Sequence, residues 1–309
     1  MKKISEIRKS FFGDKYVIFA PKRSLRPHKI SEEEAKRKEQ FKENCFFCPS
    51  PNEERAIYQI DASGKWLVKV VENKFPALSL SNPKAYGKQE IVIDTPNHGE
   101  DFCDLSPEHI RTILDVYAAR IKSINELENI NYVQVFKNDG GKAGASIPHA
   151  HSQIIGLEFI PHHMMTDTLA MDKYFCEKGS CAYCDIIHKE QKEKERIVFE
   201  DANVVAFCPW ASSSPFALWI LPKAHKNKLE DLTPEERLSV AEALKLATSK
   251  LDKEEIPYNF FIHDSLPHND HHFRLKIASR MNVWGGFEIG SGVIINPVFP
   301  EDAAMFYKG

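Results

Sequence analysis

"SIPHAHSQI", residues 146–154, places two histidines two residues apart and a glutamine two residues further on. Side chains alternate along an extended chain, so His149, His151 and Gln153 share one face of a strand. "HHFRLKI", residues 271–277, carries His272 and Arg274 at the same spacing. What precedes each run shows that the two close two copies of one unit.

Each copy opens on a C-x-x-C pair, "CFFC" with Cys45 and Cys48, then "CAYC" with Cys181 and Cys184. A strand-like run follows, "EIVIDTPNH" ending at His98 and "FALWILPKAH" ending at His225. Seven residues beyond each histidine a leucine, Leu105 or Leu232, opens "LSPEH" or "LTPEE". Both are helix starts: Ser106 or Thr233 suits the N-cap, Pro107 or Pro234 the first helical position, and Glu the first turn. Apolar residues then recur at helical spacing, at Ile110, Ile113, Leu114, Tyr117, Ile121 and Ile124 in one copy. Val240, Leu244, Ala247 and Leu251 do so in the other. An aromatic strand comes next, "NYVQVFKN" or "PYNFFIHD", and then the histidine-bearing run. Shared order and an identical offset point to a duplicated unit. The predicted fold is α+β, with two tandem halves whose antiparallel strands form one extended sheet or half-barrel and helices packed against it. The halves are expected at residues 1–165 and 166–309. The join falls near 160–178, where "PHHMMTDTLAMDKYF" lacks a clean period.

Composition bounds the function. The chain has 309 residues, 42% hydrophobic and 28% charged, as in an ordinary globular protein. Its net charge of −3 and pI near 6.5 argue against a nucleic-acid partner. No apolar run approaches the roughly 20 residues of a membrane span. The N-terminal "MKKISEIRKSFFGDKYVIFA" is interrupted by Asp14 and Lys15 and makes a poor signal peptide. Seven cysteines, four of them in C-x-x-C pairs, favour reduced thiols and metal over disulfides. A cytoplasmic protein is expected.

Zinc takes four thiolate or imidazole ligands in a tetrahedron. The repeat supplies two such sets, Cys45, Cys48, His98 and His149, then Cys181, Cys184, His225 and His272, with His271 competing for the last place. Four filled positions leave none for water, so two structural zinc sites are expected, with iron the alternative metal. The redox reading of C-x-x-C finds no support, since neither pair opens an obvious βαβ helix.

With His149 turned to metal, His151 is held on the same face with its own ring free. A neutral imidazole fixed in one tautomer is a good nucleophile toward phosphorus. "NDGGKAGAS", 138–146, places three glycines before it, which let backbone N–H groups approach phosphate oxygens. Ser146 and Gln153 add side-chain donors. A glycine-rich hairpin with core histidines is the bland alternative.

H-x-H-x-Q after a Gly/Ser-rich loop, with C-x-x-C upstream, resembles the galactose-1-phosphate uridylyltransferase family of the histidine-triad superfamily, including its ADP-glucose phosphorylase branch. The resemblance covers nearly the whole chain. "APKRSLRPH" (20–28) is similar to an N-terminal arginine motif, "ENKFPAL" (72–78) to a nucleoside-binding loop and "GKQEIVIDTPNH" (87–98) to the strand leading to a metal histidine. "FKNDGGKAGASIPHAHSQI" (136–154) is similar to the catalytic segment and "CPWASSSPFALWILPKAH" (208–225) to the start of the second half. "GGFEIGSGVIINPVFPEDAA" (285–304), with Phe287 and Glu288, resembles the C-terminal substrate loop.

The resemblance implies two histidine-triad-like halves and a ping-pong transfer. His151 attacks the α-phosphorus of a nucleoside-diphosphate sugar, sugar 1-phosphate leaves, and a second phosphate-bearing acceptor takes the nucleotide. Asn138, Gly144, Ser146 and Gln153 are implied to hold phosphates, and Arg23, Arg26, Asn73 and Phe75 to lie near the nucleotide. A homodimer is implied, because active sites in this family draw on both subunits. UDP-glucose:galactose-1-phosphate uridylyl transfer is the first expectation, and adenylyl transfer from ADP-glucose to phosphate the alternative. The second half departs from the pattern, since Arg274 stands where the parallel to His151 would be, and the C-terminal loop looks closer to the adenylyl-transferring relatives. Two other classes compete. A histidine-triad hydrolase is opposed by Gln153, where hydrolases carry a titratable histidine, and a zinc-scaffolded nucleotide sensor predicts binding without a covalent adduct.

Overall fold

The structure is a computed structural model that describes residues 4–22, 45–49, 55–62 and 64–309. Arg23 and Arg26 lie outside the described residues.

The first half contributes strands β3 (Tyr58–Ala62), β4 (Lys65–Glu72), β5 (Gly87–Ile93), β6 (Tyr132–Asp139) and β7 (His151–Leu157), with helix α1 (Pro107–Asn125) between β5 and β6. The second contributes β8 (Ile197–Glu200), β9 (Val204–Phe207), β10 (Leu218–Pro222), β11 (Tyr258–His263) and β12 (Arg274–Ser279), with α4 (Pro234–Lys253) between β10 and β11. All ten join one open antiparallel sheet in the order β3-β4-β5-β7-β6-β11-β12-β10-β9-β8. Read inward from either edge, the order is the same, and the halves meet at the β6–β11 seam. A small sheet of β1 (Glu6–Lys9), β2 (Tyr16–Phe19) and β13 (Ile294–Asn296) stands beside it.

The helices start as the sequence predicts. Ser106 caps α1, accepting from the His109 N–H at 3.2 Å. Thr233 and Glu236 form a reciprocal capping box on α4. The apolar stripes of both helices are buried on one face of the sheet in the main core, where Ile113, Leu114, Val240 and Leu244 meet Val92, Ile154, Ile220 and Leu275. Each such side chain contributes about 1.5–3 kcal/mol on burial.

The opposite face differs between halves. Over the first, the described residues place there a small cluster around Phe47, Val71 and Ile93. Over the second it is covered by α2 (His162–Lys178) and α3 (Ala182–Glu193), which pack Met171, Tyr183 and Ile187 on Val205, Phe207 and Leu221. The segment without a clean period is thus the helix α2. It has no side-chain N-cap, and its buried positions mix Met164 and Met171 with Asp167 and Thr168, which erases an apolar stripe. The second C-x-x-C also differs from the expectation. Cys181 is the N-cap of α3, but the element before it is a helix and not a strand, so the redox context of strand, C-x-x-C and helix is absent here. Among the described residues no helix is long and apolar enough to cross a membrane.

Candidate active site

Cys45, Cys48, His98 and His149 bring one ligand atom each within 4.8 Å of one another. His149 Nδ1 lies 3.5 Å from Cys45 Sγ and 3.6 Å from Cys48 Sγ, and His98 Nδ1 lies 3.4 Å from Cys48 Sγ. Tetrahedral zinc with its usual bond lengths sets sulfur and nitrogen ligands about 3.5 Å apart, so the donor set fits. His149 Nε2–H donates to the Thr95 carbonyl at 2.8 Å, which leaves Nδ1 to face the thiols. Burial raises the Cys45 thiol, but the His149 ring and the Phe47 N–H outweigh it and bring it down to about 6. A thiol so poised is ready to ligate as thiolate.

In the second half Cys181, Cys184 and His225 gather in the same way, with Cys184 Sγ 3.3 Å from His225 Nδ1. A hydrogen bond from Cys184 holds the Cys181 thiol at about 5. Asp270 accepts from His225 Nε2 at 3.1 Å and fixes that ring. His272 is the difference from expectation, because it stands outside the three-residue cluster. Its ring lies 5.1 Å from the His225 ring, and its buried Nε2 has no partner among the described residues. His271, the competitor, is turned to Asp172 on α2 at 2.8 Å.

His151 opens β7, is buried and lines a cavity of about 260 Å³, just below the usual range for small-molecule sites. Its Nδ1–H donates to the His149 carbonyl at 2.9 Å, which leaves Nε2 as the nitrogen with a free lone pair. Burial first, and then the Lys137 charge, push the ring below its ordinary value and keep it neutral. Ser146, Gln153, Asn73 and Phe75 line the same cavity. Gln153 accepts from Gln89 at 3.3 Å, and Gln89 accepts from the Ala77 N–H at 3.0 Å, so a chain of amides ties the histidine strand to the "ENKFPAL" loop.

Other predicted residues stand elsewhere. Asn138 and Gly144 do not line the cavity. Asn138 donates weakly to the Gly144 carbonyl at 3.4 Å and accepts from Asn259 across the seam at 2.8 Å, so it braces the glycine loop. Gly140, with φ of 84°, would bring a Cβ within 2.9 Å of Pro257, and Gly144 has φ of 91°. Phe287 and Glu288 lie on α5 (Gly286–Ser291), away from the His151 cavity of their own chain. Glu288 accepts from the Gly285 N–H at 3.0 Å and caps that helix.

Five residues escaped the sequence reading. Phe46 and Phe47 wall the cavity from within the C-x-x-C turn, with the Phe47 ring 5.2 Å from His151. The turn therefore supplies both ligands and a wall. Lys69, buried on β4, lines the cavity as one of its two lysines, with Lys74 of the "ENKFPAL" loop. Lys137 and Asp94 form a buried ion pair at 3.0 Å beneath β7, and Lys137 also donates to the His151 carbonyl at 3.3 Å. An alternating strand pattern hides such residues, because a charge there reads as solvent-facing.

Residues 79–161 match the family model for the N-terminal domain of galactose-1-phosphate uridyl transferase, and residues 167–277 the model for its C-terminal domain. An ADP-glucose phosphorylase from Arabidopsis thaliana is 34% identical, covering 98% of this chain and 92% of the relative. A galactose-1-phosphate uridylyltransferase from Thermotoga maritima is 26% identical, covering 97% and 96%. The crystal structure of the Arabidopsis ADP-glucose phosphorylase with bound ADP-glucose superposes with a TM-score of 0.86 at 32% identity, over 99% of this chain and 98% of that one. The chain belongs to the galactose-1-phosphate uridyl transferase family, a family of nucleotidyltransferases and phosphorylases.

Proposed function

We propose that this protein moves a nucleoside monophosphate from a nucleoside-diphosphate sugar to a phosphate-bearing acceptor through a covalent histidine intermediate on His151. The observation that carries the proposal is the Nδ1 hydrogen bond to the His149 carbonyl, which leaves Nε2 as the nucleophile of a residue lining the cavity. Nε2 attacks the α-phosphorus, a P–N bond forms, and the P–O bond to the β-phosphate breaks with its electron pair leaving on the sugar 1-phosphate. An acceptor phosphate oxygen then attacks the same phosphorus and returns the electron pair to Nε2. The His149 carbonyl stabilises the positive charge on the ring in between. Ser146 and Lys69 supply a donor and a cation for the phosphates. Gln153, which cannot titrate, orients without activating water.

The Cys45, Cys48, His98 and His149 set would hold zinc, with iron the alternative. When bound, that ion lends folding free energy and fixes His149, and so places His151. Cys181, Cys184 and His225 would hold the second ion, with Nε2 of His272, unpartnered among the described residues, beside them as the remaining donor.

Identity of 34% to an ADP-glucose phosphorylase against 26% to a uridylyltransferase, at similar coverage, supports adenylyl transfer to phosphate over uridylyl transfer to a hexose 1-phosphate. A homodimer belongs to the same proposal. The exposed apolar side chains Val283, Trp284, Phe287 and Ile289 are the surface for it, and sedimentation as a monomer at micromolar concentration would count against it.

Intact-protein mass spectrometry after mixing with ADP-glucose or UDP-glucose, without acceptor, tests the chemistry. A gain of one AMP, absent in His151→Ala, is expected, with turnover reduced on the order of 10⁴-fold or more in that variant. A gain of one UMP keeps the mechanism and reverses the base. Free nucleotide with no adduct would mean hydrolysis, and binding with no adduct a sensor.

A further inference from the structure

We propose that the second half holds a small oxyanion, inorganic phosphate being the probe of choice, in a buried site beneath α2 and α3 built on Arg274, His263 and Tyr183. The site occupies the place that the His151 cavity occupies in the first half. Arg274 follows His272 by two residues as His151 follows His149, and Lys276 stands where Gln153 does. Among the described residues the first half carries a small cluster on this face, whereas here α2 and α3 cover it.

Arg274 is 1% exposed. Its Nη1 donates to the His272 carbonyl at 3.3 Å, while Nε and Nη2 have no partner among the described residues. Those two form the side-on fork of the guanidinium, whose parallel N–H groups fit two oxygens of a carboxylate or phosphate. Two more buried polar atoms share the lack of a partner. One is the hydroxyl of Tyr183, whose ring lies 4.7 Å from the Arg274 guanidinium. The other is Nδ1 of His263, directly opposite Arg274 across the β11–β12 pair. Lys276 shares the Arg274 face of β12, with its Nζ 4.6 Å from the Trp219 ring.

A buried guanidinium without a counter-charge is strongly disfavoured, and buried polar atoms without partners on neighbouring residues call for a shared one. The neighbouring carboxylate is Asp167 on α2, and it is engaged by Lys15 at 2.6 Å and faces His163 at 3.9 Å. Burial and the Arg274 charge push the Lys276 ammonium well below its ordinary range, as expected of cations crowded together. A halide is a single-point acceptor. An oxyanion offers separate oxygens to the fork, the hydroxyl and the imidazole at once.

The inference does not rest on the His151 reading, and the test separates them. His151→Ala protein, metal-loaded and saturated with ADP-glucose, leaves the first cavity filled and unreactive. After desalting, it is denatured and assayed for released phosphate, and in parallel native protein is titrated with phosphate by thermal melting. The expected result is either near-stoichiometric phosphate on denaturation or a saturable rise in Tm of several degrees. Either signal should vanish in Arg274→Leu and weaken at least tenfold in Arg274→Lys, which keeps the charge and loses the fork. If Arg274→Leu fails to fold, Tyr183→Phe removes one donor alone and should weaken binding several-fold. No released phosphate together with no melting shift overturns the proposal. So does a shift that survives unchanged in the variants, or one that chloride reproduces at equal concentration.

Discussion

Beneath their histidine strands the two halves of this molecule are built from opposite materials. The first carries Asp94, Lys137, Ser152 and Tyr117, all buried. Lys137 pairs with Asp94 at 3.0 Å, Ser152 donates to Asp94 at 3.1 Å, and Tyr117 donates to Ser152 at 2.5 Å. At the matching places of the second half stand Pro222, Ile262, Leu275 and Leu244. The strand registers make the match: Val92 opposes Ser152 as Ile220 opposes Leu275, and Phe136 opposes Gln153 as Phe261 opposes Lys276. Tyr117 follows His98 by nineteen residues, and Leu244 follows His225 by nineteen. Replacing a buried ion pair by apolar residues of similar volume is often neutral or stabilising. The second half shows that this frame holds without the network. On the proposed function the polar set in the first half is a positioning device, and Lys137, bonded to the His151 carbonyl at 3.3 Å, is its contact with the proposed nucleophile.

The metal clusters give the sharpest test of that division. Cys48→Ser should remove one equivalent of metal and abolish adduct formation at His151, because His149 loses its anchor. A structural zinc contributes on the order of 10 kcal/mol to folding, so this is the largest effect expected. Cys184→Ser should also remove one equivalent but leave an adduct on the protein that stays folded. Metal analysis and intact mass on both variants check this. An adduct lost in folded Cys184→Ser would show that the second cluster also positions His151.

The buried network is broken next. Lys137→Ile leaves Asp94 uncompensated and should cost about 3–5 kcal/mol of unfolding free energy. Adding Asp94→Val makes the first half resemble the second, and should restore at least half of that loss while transfer stays slow. Denaturant melts and single-turnover rates on both variants separate stability from positioning. If transfer recovers along with stability, the network is a folding element after all.

Much of this was legible in the sequence, for reasons that differ by residue. Ser106 and Thr233 announce helices because capping is local chemistry, and each accepts from the N–H three residues on. The gathering of Cys45, Cys48, His98 and His149 was legible because clustered thiol and imidazole donors come in few spacings. The helix α2 was not legible, since it packs Asp167 toward Lys15 and has no apolar face to read. Nor was the role of Lys137, because nothing local distinguishes a buried lysine from a solvent-facing one on an alternating strand. Asn138 was given a phosphate role by the resemblance alone, and its bond to Asn259 was not legible because that partner comes from the other half.

A pH effect belongs to the second half. Burial pushes the Asp264 carboxyl up to about 7. The unfolded chain ionises this group near pH 4, so between about pH 4 and 7 the folded state holds the extra proton. Stability therefore falls as pH rises through that window, since the unfolded state binds fewer protons there. Asp264→Asn, which can still accept from the Leu229 N–H that Asp264 holds at 2.9 Å, should flatten the slope and raise stability at neutral pH. An unchanged slope would place the pH dependence on other groups.

The smallest effect compares the two helix starts. Both Ser106 and Thr233 accept from the third helical N–H at 3.2 Å. Only α4 completes the reciprocal bond, with Glu236 accepting from the Thr233 N–H at 2.8 Å. Ser106→Ala and Thr233→Ala should each cost about 1 kcal/mol, or about 2 °C in Tm for a chain of this size. Thr233→Ala should cost the more, because removing the hydroxyl also loosens the geometry in which Glu236 bonds back. Glu236→Ala, which breaks the return bond alone, measures that difference directly. If Thr233→Ala and Ser106→Ala prove equal and Glu236→Ala is silent, the box adds nothing to a cap. The halves would then differ in their buried chemistry and not in how their helices begin.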